Sequence, residues 1–282
     1  MKKLAATSCL ILTVFMPMAS FQKSALTQRA VAPSPAVPSS QAESATSPTP
    51  VPVIVELFTS EGCSSCPPAD ALLMQLESEQ SIPGAQVIAL EEHVDYWNSQ
   101  GWVDPFSSSE LTLRQQRYAE FFRHGSSYTP QMVVDGQWEF VGSRPEQAKN
   151  TIAAAASLVS SKVTVTGGQL DPHGHGEFTV TVNRLVPAPG DTAEVWFAVT
   201  ETRLHSQVAR GENAGRDLGH AAVVRELTKL GAADTRKDPP FSSTAKFKMR
   251  PEWNPQNLRA VVFVQEKKSR HILGAATAKV VQ

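Results

Sequence analysis

Two cysteines separated by two serines, Cys63-Ser64-Ser65-Cys66, stand between a strand-like run, Val53 to Thr59, and a run that begins at Pro67. In the second run Ala69, Leu72, Leu73 and Leu76 recur at the spacing of one helical face. Strand, short cysteine loop and helix in that order fix the first unit of an α/β layer. Two intervening residues let the sulfurs close a small disulfide ring. A first thiol at a helix N-terminus has its thiolate stabilised by unpaired N–H groups and the helix dipole. The chain has only 3 cysteines, and the third, Cys9, lies far upstream. So few exclude a disulfide-dense scaffold and a four-cysteine zinc site.

The pattern continues downstream. Gln86 to Val94 reads as a second strand, and Ser107 to Phe122 as a helix opened by a Ser107-x-x-Glu110 capping box. Gln131 to Val134 and Trp138 to Val141 flank Asp135-Gly136, a hairpin signal. Ser143-x-x-Glu146 opens a last helix, with Ala148, Ile152, Ala155 and Val159 on one face. The order β-α-β-α-β-β-α predicts a mixed sheet with helices on its faces over residues 53–160. Residues 161–282 differ. Short β-rich runs at 163–166, 177–182, 194–201, 223–227, 244–249 and 259–265 are separated by Gly, Pro and Asn. They predict an all-β, sandwich-like second domain. The 203–222 stretch is longer than an ordinary hairpin loop, a length often tied to function.

Residues 1–20 carry Lys2 and Lys3, then a mostly apolar run with Pro17, ending at small residues Ala19 and Ser20. That is the pattern of a secretory signal, shorter than the ~20 apolar residues of a membrane span. Residues 21–52 hold six prolines from Pro33 to Pro52 and a single acid, Glu43. Such a segment cannot bury enough apolar surface to fold, so it reads as a disordered linker. The expected location is periplasmic or secreted, with no transmembrane span once the signal is removed. Four of the 26 basic residues and one of the 27 acidic ones fall in residues 1–52, which leaves 22 against 26 and a net charge of −4. That balance argues against a nucleic-acid partner. No P-loop, dinucleotide or nucleophile-elbow fingerprint occurs, so no cofactor is expected.

A Cys-x-x-Cys beside a β-α pattern is the signature of a thioredoxin-like redox site. The longer stretches carry a more specific likeness: Val55-Glu56-Leu57-Phe58-Thr59-Ser60-Glu61-Gly62-Cys63-Ser64-Ser65-Cys66-Pro67-Pro68-Ala69-Asp70, then His93-Val94-Asp95-Tyr96-Trp97, Tyr128-Thr129-Pro130-Gln131 and Arg210-Gly211-Glu212-Asn213. Together they resemble a bacterial family of exported thioredoxin-like proteins catalogued as a domain of unknown function. The resemblance covers nearly all of 53–282. It implies that Cys63 is the attacking thiol and Cys66 the resolving thiol. It further implies a cis Pro130 holding the substrate backbone beside them, with Thr129 adding main-chain contacts. Glu56, seven residues before Cys63, corresponds within one position to an acid on the same strand of many thioredoxins. Two readings of it stand: a buried proton acceptor for Cys66, or a carboxylate satisfied at the strand edge.

Pro67 and Pro68 directly follow Cys66, so regular helix is expected to begin near Cys66 rather than Cys63. The carboxyl ends of both early strands open on one edge of a parallel unit, which brings His93, Asp95 and Trp97 toward Cys63 as substrate-binding candidates. All three tyrosines and two of the five tryptophans lie between Tyr96 and Tyr128, either as binding surface or as packing for the 97–127 insert. The expected activity is thiol–disulfide exchange with exported protein thiols or disulfides. Two alternatives stand beside it: a copper metallochaperone holding Cu(I) through the two thiolates and His93, and a binding module whose disulfide is only a staple. His173-Gly174-His175 is expected in a turn.

Overall fold

The computed structural model describes residues 49–282 apart from Val159, Val186, Pro189, Gly190 and Thr235. The expected signal, most of the linker and the Val159 position on the last helical face therefore lie outside the described residues. The first half runs β1 (Val51–Thr59), α1 (Pro67–Glu79), β2 (Ala85–His93), α2 (Ser109–Phe121), β3 (Gln131–Val134), β4 (Trp138–Val141) and α3 (Pro145–Ala156). This is the β-α-β-α-β-β-α order that the periodicity predicts. The second half supplies β5 (Val163–Leu170), β6 (His175–Val182), β7 (Ala193–Glu201), β8 (Leu204–Gln207), β9 (Asp217–His220), β10 (Val223–Ala233), β11 (Phe241–Lys248), β12 (Leu258–Glu266) and β13 (Ile272–Lys279).

Strands from both halves join one mixed eight-stranded sheet, ordered β13-β12-β7-β10-β2-β1-β3-β4. The junction is the pairing of Val223 in β10 with Glu91 in β2, and the Glu91 N–H donates to Ala222 O over 2.9 Å. The boundary near residue 160 is thus not a break in the sheet, and Ser47–Gln282 clusters as one unit. Within residues 53–160 β2 pairs only with β1, and its other edge is completed by β10 of the second half. The sandwich expectation survives locally. A sheet ordered β11-β6-β5 packs Phe178, Val180 and Val182 with Val195, Phe197 and Val199 of β7 and Val262 and Val264 of β12.

Alternation along β1 and β2 separates two environments. Val53, Val55, Leu57, Val87 and Ala89 pack with Leu72, Leu73 and Leu76 of α1 and Ile152 of α3. Ile54, Ile88 and Leu90 pack instead with Leu111 of α2, Ala198 of β7 and Phe263 of β12. Only the second of these faces joins the halves, and its burial is favourable at about 25 cal/mol per Å² of apolar area.

Two helix starts differ from the sequence reading. Ser108, not Ser107, caps α2, its side chain accepting from the Glu110 N–H. Ser107 Oγ is taken instead by Asn98 Nδ2 and by Asp104 O. At α3 the N-cap is Arg144 without a side-chain cap bond, so Ser143 does not close a capping box. Pro145 starts that helix, where its missing N–H costs nothing. The Asp135-Gly136 turn has positive φ at both residues, 45° and 68°, as a tight hairpin requires.

Candidate functional site

Cys63 and Cys66 are disulfide-bonded, with Cα atoms 5.5 Å apart. The loop turns through hydrogen bonds from Cys63 N to Ser60 O at 3.1 Å and from Cys66 N to Cys63 O at 3.2 Å. Cys66 is the N-cap of α1, and Pro67 and Pro68 follow it, so the positive end of the helix lies at the second cysteine. Both cysteines have no exposed surface, whereas Ser64 and Ser65 face solvent. Ser65 Oγ stands 3.3 Å from Cys63 Sγ.

The Thr129–Pro130 peptide is cis. The β1–β3 register ends at Phe58 opposite Gln131, which puts Pro130 at the next position, across from Thr59. Pro130 O accepts from Gly142 N at 3.0 Å. Gly142 has no room for a side chain, because a Cβ there would stand 2.6 Å from Leu57 Cδ1. Trp97 ties the two loops together: its Nε1 donates to Thr129 Oγ1 over 2.8 Å, and its Cβ would be 3.2 Å from a Cβ on Gly62. Asp95 turns elsewhere, with Thr112 Oγ1 of α2 donating to its Oδ1 over 2.6 Å.

Glu56 is buried, but its partners hold it on the α2 side of β1. Arg114 Nε and Tyr118 OH each donate to its carboxylate over 2.5 Å. Alternation sends Glu56 away from the side on which Leu57 and Thr59 meet α1, so it is not the carboxyl beside Cys66. Neither reading from the sequence anticipated this ion pair. Glu92 lies 3.4 Å from Arg114 Nε, and neither of its carboxylate oxygens has a hydrogen-bond partner. Burial and the Glu56 charge push its pKa well above the usual range. The Arg114 guanidinium also stacks on Trp196 and Phe263 from the second half.

The buried carboxyl on the cysteine-bearing helix is Asp70, one turn after Cys66, whose backbone oxygen accepts from Asp70 N at 3.1 Å. Asp70 is buried and accepts from Thr59 Oγ1 over 2.6 Å. Burial, reinforced by the Glu91 charge, raises its pKa to about 7.

Behind it lies a buried polar network. His93 Nδ1 is 2.7 Å from Asp104 Oδ2, and His220 bridges Glu91 at 2.8 Å and Glu61 at 3.2 Å. Burial disfavours charge on both imidazoles, but the facing carboxylates outweigh it. The His93 pKa rises well above its ordinary value, and that of His220 rises to about 9. His93 therefore belongs to this network. The grouping of potential ligand atoms that contains it includes Glu91 and His220, not the cysteine sulfurs.

The second half reaches the cysteines through the β8–β9 arm, within the long 203–222 stretch. Asn213, fully buried, donates its side-chain amide to Glu61 O at 2.8 Å and Cys63 O at 2.9 Å. Glu212 Oε2 accepts from Ser64 N at 3.0 Å, and the Ser64 hydroxyl together with this N–H lowers the Glu212 pKa. Gly211 lies against Trp102, whose Nε1 donates to Glu61 over 2.7 Å. Of these residues, Asp70 was readable as an acid one turn after Cys66, and Glu212 and Asn213 stood in a recognised motif. Glu61 stood in the first quoted motif, whereas Asp104 and His220 carried no local signal. His173 and Gly174 lie in the turn before β6, where Gly174 N donates to Asp171 O at 3.0 Å, and His175 opens that strand. Among the described residues no helix is long and apolar enough to cross a membrane.

Comparison with known proteins supports the fold. Protein AGR_C_4864 from Agrobacterium tumefaciens superposes with a TM-score of 0.61 at 24% identity, over 83% of this chain and 96% of that one. HBP35 of Porphyromonas gingivalis superposes with a TM-score of 0.56 at 17% identity, over 82% of this chain and 76% of that one. No curated protein matches the sequence. The profile of a family described as a protein of unknown function, DUF1223, matches residues 54–265, and the chain belongs to that family.

Proposed function

We propose that this protein is an exported thiol–disulfide oxidoreductase built around a thioredoxin-like half. The observation that carries the reading is the Cys63–Cys66 disulfide at the β1–α1 junction, capping α1, with a buried carboxyl one turn behind it. The sheet order β2-β1-β3-β4, with Pro130 entering β3 beside the end of β1, also supports it. In the reduced protein the Cys63 thiolate attacks a substrate disulfide, forms a mixed disulfide and expels one substrate thiolate. Cys66 then gives its proton to Asp70 and attacks the Cys63 sulfur. The second substrate thiolate leaves, and two electrons have passed from the protein to the substrate. The reverse sequence oxidises a substrate dithiol. An oxidising compartment suits this chemistry, and the basic, then apolar, N-terminal residues support export.

The burial of both cysteines favours a second reading, because inert structural cysteines are buried and reactive ones are partly exposed. On the first reading the Arg210–Arg216 segment must swing away from Ser64 before a protein substrate can reach Cys63. Insulin reduction and oxidative refolding separate the two. Exchange predicts activity in at least one assay, its loss in Cys63→Ser, and partner trapping through Cys63 in Cys66→Ser. A wild-type protein inactive in both, with the pair intact, contradicts it.

A further inference from the structure

We propose that Glu91, His93 and His220 form a binding site for a divalent transition-metal ion of the zinc class, separate from the disulfide. Glu91 and His93 stand two residues apart in β2 and so point to the same side of the strand. His220 ends β9 and is drawn to them by the pairing of Val223 with Glu91. One ligand atom from each of the three lies within 4.8 Å of the others, and all three residues are buried.

The orientation of each group is that of a prepared ligand. The Nδ1 of His93 is engaged by Asp104 at 2.7 Å, and Asp104 is itself held by the backbone N–H groups of Glu61 and Phe106, each at 2.9 Å. This leaves His93 Nε2 buried without a hydrogen-bond partner, 3.6 Å from Glu91 Oε1. At His220 both ring nitrogens face carboxylates: Nε2 is 3.2 Å from Glu61 Oε1, and Nδ1, the atom an ion would take, is 2.8 Å from Glu91 Oε1. The other oxygen of Glu91 accepts from Ala221 N at 2.9 Å, so Oε1 is the one presented to both rings. A carboxylate behind each imidazole, fixing the ring and raising its basicity, is the usual outer shell of a metal-bound histidine.

Bond lengths of about 2.0–2.2 Å to nitrogen and oxygen put ligand atoms on one ion about 3–3.5 Å apart. The separations of 2.8 and 3.6 Å to Glu91 Oε1 lie near that range, and the grouping within 4.8 Å closes on an ion through side-chain shifts of about 1 Å. Two imidazole nitrogens and one carboxylate oxygen suit zinc and its first-row neighbours. Glu61, Glu91 and Asp104 provide the negative charge that a buried dication requires. A cavity of about 730 Å³, lined in part by Met74, Val87, Ala89 and Thr200, has His220, but not Glu91 or His93, in its wall.

The test uses the full chain with its disulfide intact and with Cys9→Ser, so that no thiolate can bind metal. Chelator-treated protein is titrated with Co²⁺ and Zn²⁺, read by calorimetry and by the visible bands of bound Co²⁺. The site predicts one ion per chain, affinity reduced about 100-fold or more in His93→Gln and His220→Gln, and about tenfold in Asp104→Asn. No stoichiometric binding, or an affinity unchanged in both histidine variants, overturns it. Should those variants not fold, X-ray absorption of the wild-type Zn²⁺ complex decides. Imidazole scattering with a nitrogen and oxygen shell supports the site, and any other shell overturns it. Because the disulfide stays closed, failure here leaves the exchange reading untouched, and the reverse holds too.

Discussion

Asn213 donates its side-chain amide to the backbone oxygen of Cys63 over 2.9 Å, across 150 positions of sequence. The same amide holds Glu61 O, so one residue of the second half fixes both ends of the turn that presents the first cysteine. Replacing Asn213 with Ala removes both bonds; Cys63 O keeps the Cys66 N–H, but the buried Glu61 carbonyl loses its partner. We expect a loss of about 1–3 kcal/mol in urea unfolding. We also expect the disulfide to be reduced about tenfold faster by a small phosphine. An unchanged reduction rate would show that the 210–216 segment does not shield the sulfurs.

On the proposed exchange reading Asp70, whose pKa is raised to about 7, takes the proton of Cys66. Asp70→Asn keeps an oxygen for the Thr59 hydroxyl and removes the titration. Insulin reduction should slow about 100-fold at neutral pH, with the inflection near pH 7 abolished. A profile superimposable on that of the wild type would assign Asp70 a packing role only.

Asp135 tests linkage away from the site. Its carboxyl accepts from Ile54 N, and burial raises its pKa from 3.8 to about 7. The folded state therefore binds the proton more tightly than the unfolded chain. The associated stability is complete below pH 4 and is lost as pH rises toward 7. Asp135→Asn keeps the acceptor and tolerates the positive φ of 45° at this turn. It should match the wild type near pH 4 and exceed it at pH 8 by up to about 4 kcal/mol. Equal stability at both pH values would refute the assignment.

Much of the first half was legible. The limits of α1, β3 and β4 follow from apolar periodicity and from the Asp135-Gly136 turn, all short-range signals. The site was half legible, because Cys63, Cys66 and Pro130 announce themselves by residue type. Glu56 was misplaced since its partner, Arg114, lies 58 positions away on a helix whose facing strand cannot be read locally. Strands β8 and β9 were missed because each is four residues long and polar, and they carry the arm that delivers Asn213 and His220. The boundary at residue 160 followed a true change in local pattern, but sheet order is a long-range property.

Arg114 offers a test of that joined core. Arg114→Ala leaves Glu56 and Glu92 buried without a cation and removes the stacking on Trp196 and Phe263. Breaking a buried pair from one side costs about 3–5 kcal/mol. The loss should be larger at pH 8 than at pH 5, since uncompensated buried carboxyls fold best protonated. A loss below 1 kcal/mol, or one independent of pH, would contradict the reading of Arg114 as the shared counter-ion.

The most direct test of the central claim is the reduction potential of the Cys63–Cys66 pair, measured by equilibration with defined thiol–disulfide buffers. An exchange protein predicts a value between about −120 and −270 mV. A value below about −300 mV, the range of inert structural disulfides, would contradict it.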